Sequence, residues 1–234
     1  METKTLGSLY IDGEPVSPGT AFKYDGAEIC LGSTVLGKEL EWIEWNGLLV
    51  ANRCACVAIS WQELDDHGYI FGWPVSIDGK PYLCRSLEVG SLSRSMNEWD
   101  SILDDLGNDD SIWHWKGQWF WGQEKAAAWT HRYVRGNTSA RYRCDRSEQH
   151  VSDSLGFRPV LEKLPPTPMD KNVGKQIVVY GPHKIAIEGR LVGFDDYDIA
   201  LDGVAPLHAD CDWAIRTLGG QVVARRSGSI IQLP

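Results

Sequence analysis

Apolar residues in the first two thirds of the chain come in short runs, such as 27–31, 47–50 and 54–59, interrupted by Gly, Pro and Asp turns. Runs of that length bounded by turn formers predict short strands in an irregular α+β arrangement. Helical periodicity is sparse. Ser60-Trp61-Gln62-Glu63-Leu64 predicts a short helix with Ser60 as its cap and Glu63 at the position that reaches back to the cap. The stretch 97–106 predicts a stronger one, because Trp99, Ile102, Leu103 and Leu106 share a face and Gly107 supplies a stop. In Leu164-Pro165-Pro166-Thr167-Pro168-Met169-Asp170, three prolines in four residues can continue neither a helix nor a central strand. That predicts a linker at 165–171 between a domain at 1–164 and another at 172–234. Beyond the linker the pattern turns to alternating strands at 176–180, 185–192, 198–201, 212–218 and 221–233, which predicts a small closed or half-closed β-barrel.

Charge narrows the partners. The net charge is −9, with 16 Lys+Arg against 24 Asp+Glu before residue 170 and 7 against 8 from there on. A protein that grips nucleic acid by its phosphates carries a basic face, so RNA is a disfavoured partner. No apolar run approaches the roughly 18 residues of a membrane span, and a membrane partner is not expected. Met1-Glu2-Thr3-Lys4-Thr5-Leu6-Gly7 has neither a basic segment nor an apolar one after it, which predicts a cytoplasmic address. The six cysteines include no CxxC pair, and in the cytosol they default to free, buried thiols. Cys54 and Cys56 would point to opposite faces of a strand. His208, Asp210 and Asp212 would share a strand face but lack a fourth ligand, so neither a metal nor a cofactor is expected.

Ten of the eleven tryptophans precede the linker, and Trp113, Trp115, Trp119, Trp121 and Trp129 share parity, which on one strand sends them to one side. Most would build an aromatic core, with Trp119, Trp121 and Trp129 as candidate exposed anchors for a ligand. The polar and aromatic stretch 137–151 reads as a loop between two strands, the place where a rigid scaffold carries recognition. Its candidate contacts are Asn137, Arg141, Tyr142, Arg143, Asp145 and Arg146.

Two resemblances follow. Arg135-Gly136, Ser139-Ala140-Arg141-Tyr142 and Gly156-Phe157-Arg158-Pro159-Val160-Leu161, preceded by 77–85, Asn97-Glu98-Trp99-Asp100 and Trp113-His114-Trp115, resemble C-type-lectin-fold proteins of the formylglycine-generating-enzyme type, particularly those of phages and mobile elements. The likeness spans residues 50–162 and implies a lectin-like domain with 137–151 as its contact face. Neither the calcium signatures of sugar-binding lectins nor the active-site cysteine pair of the enzymes is recognisable, so calcium-dependent sugar binding and catalysis are not carried over. Residues 187–201 and 218–233 resemble the two motifs of the Sm and Sm-like family. Asp198 stands where RNA-binding members have Asn, and Arg226-Ser227-Gly228 interrupts their Arg-Gly pair. A carboxylate only accepts hydrogen bonds, so the usual base-reading donor is missing.

The expected fold is thus an α+β C-type-lectin-like domain followed by an all-β Sm-like small barrel. The expected function is that of a non-catalytic binding protein, encoded by a phage or mobile element, which recognises a host protein or small ligand and forms a homo-oligomer through the barrel; counter-defence is one such role. An alternative is an RNA- or nucleotide-binding regulator using Asp195, Tyr197, Asp198 and Arg226. A third reading pairs Cys144 with His150 or His131 as an enzyme nucleophile, although no local pattern raises it above chance.

Overall fold

A computed structural model describes residues 2–22, 26–92, 95–164, 170–181, 185–195, 198–209, 211–225 and 230–232. The chain is mostly β and divides into two compact units, Met1–Glu162 and Lys163–Pro234. The proline-rich residues 165–169 of the expected linker lie outside the described residues.

In the first unit, strands β1 (Thr3–Ile11), β2 (Glu14–Val16), β3 (Thr20–Ala21), β4 (Ile29–Gly32), β5 (Glu39–Trp45), β6 (Leu48–Ala51) and β7 (Cys56–Val57) precede helix α1 (Trp61–Asp66). Then come β8 (Trp73–Ile77), β9 (Lys80–Ser86), helices α2 (Glu98–Leu106) and α3 (Asp110–Trp113), and β10 (Trp119–Lys125), β11 (His131–Gly136), β12 (Ser139–Ser147), β13 (Leu155–Phe157) and β14 (Pro159–Lys163). The two predicted helices form for the expected reasons. Ser60 and Glu63 make a reciprocal capping box on α1. Asn97 caps α2 by accepting from the Asp100 N–H, and Gly107 ends it with a positive φ of 81°.

One sheet runs β2-β1-β5-β6-β14-β9-β8, with β4 also on β1; the other runs β12-β11-β10-β13-β7-β3. The two are stitched together at one residue. β13 lies in the second sheet and β14 in the first, and Arg158 alone separates them. Gly156 permits the close pairing of β13 with β7, since a Cβ there would sit 2.1 Å from the Cys56 carbonyl oxygen. The Arg158 side chain is 0% exposed. It donates to the carbonyls of Ala51 (3.3 Å), Asn52 (3.0 Å) and Trp113 (2.6 Å), with its guanidinium over the rings of Phe120 (4.7 Å) and Trp99 (5.2 Å). Burial lowers its pKa to about 10, so it stays a cation at neutral pH.

The tryptophans do not share one strand face. Trp113 ends α3 and Trp115 follows it, while only Trp119 and Trp121 lie on β10, a central strand buried on both sides. Their number reflects their use as ties between segments. The buried indoles of Trp42, Trp61, Trp99, Trp113 and Trp121 each donate to a backbone carbonyl, those of Leu6, Gly122, Ala140, Gly107 and Ile59 respectively. Trp129, by contrast, is 80% exposed. Cys54 and Cys56 are buried in different core clusters.

The second unit opens with a 3-10 turn at Asp170–Asn172 and continues as β15 (Gln176–Tyr180), β16 (Ala186–Phe194), β17 (Asp198–Asp202), β18 (Ala214–Arg216), β19 (Val222–Arg225) and β20 (Ile230–Gln232). These form one antiparallel sheet in the order β18-β19-β17-β16-β15-β20. The tail expected as a single strand at 221–233 is two, with 226–229 outside the described residues.

Two stability results are expected. Arg158→Met keeps apolar bulk but leaves three carbonyls unpaired, at about 1–3 kcal/mol each. Urea unfolding followed by tryptophan fluorescence should show a loss of about 3 kcal/mol or more. Burial raises the Cys54 thiol from 9.0 to about 11, and raises Cys56 and Cys84 as well. A folded-state pKa above the unfolded one gives stability that is complete below the unfolded value and is lost as pH rises through the folded one. The melting temperature should therefore fall between pH 9 and about 11, and a thiol reagent should reach these three cysteines only on unfolding.

Candidate functional site

The stretch expected as a loop at 137–151 is instead largely strand β12, paired antiparallel with β11 at the edge of the second sheet. The hairpin turn is built by two residues with positive φ, Gly136 (104°) and Asn137 (69°). A Cβ on Gly136 would lie 2.3 Å from the Gln118 carbonyl oxygen. The Asn137 N–H donates to the carbonyls of Trp115 (2.8 Å) and Gln118 (3.0 Å), so its backbone work is to fix the turn.

β12 is not regular. Arg135 pairs with Arg143 and Gly136 with Ser139, so Ala140, Arg141 and Tyr142 have no partners across the ladder. A bulge of this kind leaves carbonyls to be satisfied and re-aims side chains. The buried Trp99 indole donates to the Ala140 carbonyl (2.7 Å), and the buried Arg135 guanidinium donates to that of Arg141 (2.6 Å). Arg135 also donates to the Val89 carbonyl (2.6 and 3.0 Å) and pairs with Asp100 on α2 (2.6 Å). Its pKa is lowered by burial, against the opposing pull of Asp100.

The residues picked from the sequence separate into two groups on β12. Arg141 reaches Asp100 (3.4 Å) and Asp104 (2.5 Å) on α2, while Arg143 donates to the Ser91 carbonyl (3.1 Å) and lies over the Tyr133 ring (5.0 Å). With Arg135, Asp100, Ser91 and Leu92 they line a cleft of about 410 Å³. Tyr142 and Arg146 instead approach Trp119, at 5.5 Å each, and help to leave that ring 8% exposed. Asp145 pairs with His131 (2.5 Å). Trp121 is fully buried and so is a core residue rather than an anchor, whereas Trp129 is exposed with the Lys125 ammonium 3.8 Å from its ring.

A second cleft, also about 410 Å³, adjoins at Ser91 and is walled by Trp61, Phe71, Glu124, Lys125 and Arg132. Arg132 stacks on Trp61 (4.1 Å) and pairs with Glu148 (2.5 Å). Sequence reading missed Asp100, Arg135, Arg132 and Ser91. Asp100 and Asp104 did carry a signal, since like charges four apart on a helix repel and call for a cation between them.

Chemistry at Cys144 finds little support in this geometry. Burial raises its thiol pKa, which keeps it protonated at neutral pH. Cys144 packs against the core, and Asp145, its neighbour on the other strand face, is what holds His131. In the second unit the Asp195 carboxylate accepts from the Asp198 N–H (2.7 Å), and the Asp195 N–H donates back to the Asp198 carbonyl (3.0 Å), closing the β16–β17 turn. Tyr197 and Arg226, and Asp210 of the His208 cluster, lie outside the described residues.

Comparison with protein families, with curated proteins and with solved structures gives no match.

The two acids on α2 should differ in weight. Asp100→Ala strands the Arg135 cation, 4% exposed, and should cost about 3 kcal/mol in urea unfolding. Asp104→Ala removes a 70%-exposed partner and should cost less than about 1 kcal/mol.

Proposed function

We propose that this chain is a binding protein rather than an enzyme, with a C-type-lectin-like first unit that recognises a partner protein or small ligand and an Sm-like second unit that assembles copies of it. The observation that carries the recognition half is the bulged edge strand β12. Two of its arginines are oriented by neighbours, exposed Arg141 by ion pairs to Asp100 and Asp104 and half-buried Arg143 by the Ser91 carbonyl and the Tyr133 ring, while its one thiol is protonated and turned to the core. Side chains held in place before binding lose less entropy when a ligand arrives.

For the second unit, the Phe194-Asp195 of the first motif falls at the β16–β17 turn, and the last strand, β20, returns beside the first, β15. Both fit a small curled barrel of the Sm-like kind. β18 and β20 end the strand order, and unpaired strand edges invite pairing with another copy. Ile215 on β18 is 65% exposed, an apolar residue where such pairing would cover it.

Light-scattering mass of the full chain, with and without oligouridine, tests this reading. A multi-subunit mass that is unmoved by oligouridine and reduced to monomer by Ile215→Glu is expected. A monomer that takes up oligouridine would overturn it and shift the function to RNA binding by the barrel.

A further inference from the structure

The arginine-lined cleft brings three guanidiniums together, and they differ in how far their donors are already used. Three guanidiniums, those of Arg135, Arg141 and Arg143, converge on it, and the carboxylates paired with them are two, Asp100 and Asp104. A third acid, Glu124, lies near Arg135 and accepts from the backbone N–H groups of Val89 (2.9 Å) and Gly90 (2.8 Å). Every nitrogen of the Arg135 guanidinium already donates, to Val89, Arg141 or Asp100. Arg141 is turned toward α2.

Arg143 differs from both. One of its nitrogens, Nη1, is anchored on the Ser91 carbonyl and its plane is steadied by Tyr133, while Nε and Nη2 have no partner among the described residues. A guanidinium held in this way offers the planar pair of donors that matches a carboxylate or phosphate edge. Arg135 and Arg143 lie close enough to act on each other as like charges, which favours an anion beside them.

We propose that the cleft between β12 and α2 binds the oxyanion head, phosphate or carboxylate, of a small organic anion, with Arg143 as the principal contact. The volume of about 410 Å³ exceeds what an inorganic ion fills and falls in the range of small-molecule sites. Leu92, 78% exposed on its rim, and the adjoining cleft with Trp61 and Phe71 offer apolar and aromatic surface for the rest of the ligand. The proposal rests on the reading of the β12 side as a contact face and names the ligand class for it.

The test is calorimetric titration and thermal denaturation of the full chain with inorganic phosphate, phenyl phosphate and phenylacetate, against sodium chloride at equal ionic strength. Saturable binding of phenyl phosphate or phenylacetate is expected, tighter than that of inorganic phosphate, and the preferred probe identifies the head group. Arg143→Gln should weaken binding about tenfold or more, as expected for loss of a charge-assisted bidentate pair, and Arg143→Lys should restore part of it. Leu92→Glu, at an exposed position that carries no folding cost, should weaken it similarly by placing a carboxylate at the rim, while Arg190→Gln in the second unit should leave it unchanged. Absence of saturable binding with all three probes, or binding indifferent to both Arg143→Gln and Leu92→Glu, would overturn the proposal. Neither substitution touches β18 or β20, so the oligomer mass reports separately on the assembly reading.

Discussion

A full positive charge sits in the interior of the first unit at the point where the chain passes from one sheet to the other. Arg158 has no carboxylate partner among the described residues; three backbone carbonyls and two aromatic faces compensate it. Desolvating a guanidinium is expensive unless its donors are met, so the carbonyls of Ala51, Asn52 and Trp113 must stay where they are. That requirement fixes the end of β6, the end of α3 and the β13–β14 crossing in one arrangement.

The constraint spreads outward by contact. The Trp99 ring that lies against Arg158 also packs edge-on to Trp113 and Phe120, with centroids at 5.3 and 4.9 Å. Its indole N–H then takes up the Ala140 carbonyl, freed by the bulge in β12. Arg135 does the same for Arg141. An interior charge, an aromatic cluster and a hydrogen-bonded bulge thus connect the sheet crossover to the surface where Arg141 and Arg143 stand. Close-packed interiors transmit such positional demands because they have little free volume to absorb them.

The same chain uses arginine in three ways, and burial separates them. Arg158 is wholly enclosed, its two terminal nitrogens donating to carbonyls and its Nε buried without a partner among the described residues, Arg135 is nearly enclosed and shares Asp100, and Arg143 is half-buried with a single carbonyl anchor. The first two are consumed by the fold. Arg143 retains Nε and Nη2 without a partner among the described residues, at the wall of the cleft. Tyr142 and Arg146, on the opposite strand face, cover Trp119 and are partly spent on that contact.

Local pattern was sufficient where the causes are local. The capping box at Ser60, the apolar face of 97–106 with its Gly107 stop, and the strand at 176–180 are set by residues within a turn or two of each other, and they appear at or within two residues of the positions expected. The mainly β character and the abrupt change of pattern near the prolines are likewise compositional. The tertiary structure alone decided that 137–151 is an edge strand with a bulge, because the donors that satisfy the bulge come from α2 and β11. It also decided that Trp121 is core while Trp129 is exposed, and that Arg141 and Arg143 meet Asp100 and Ser91, more than 40 residues away. Parity along a strand gives a side chain its direction, but what lies in that direction depends on which sheets the long-range pairing brings together.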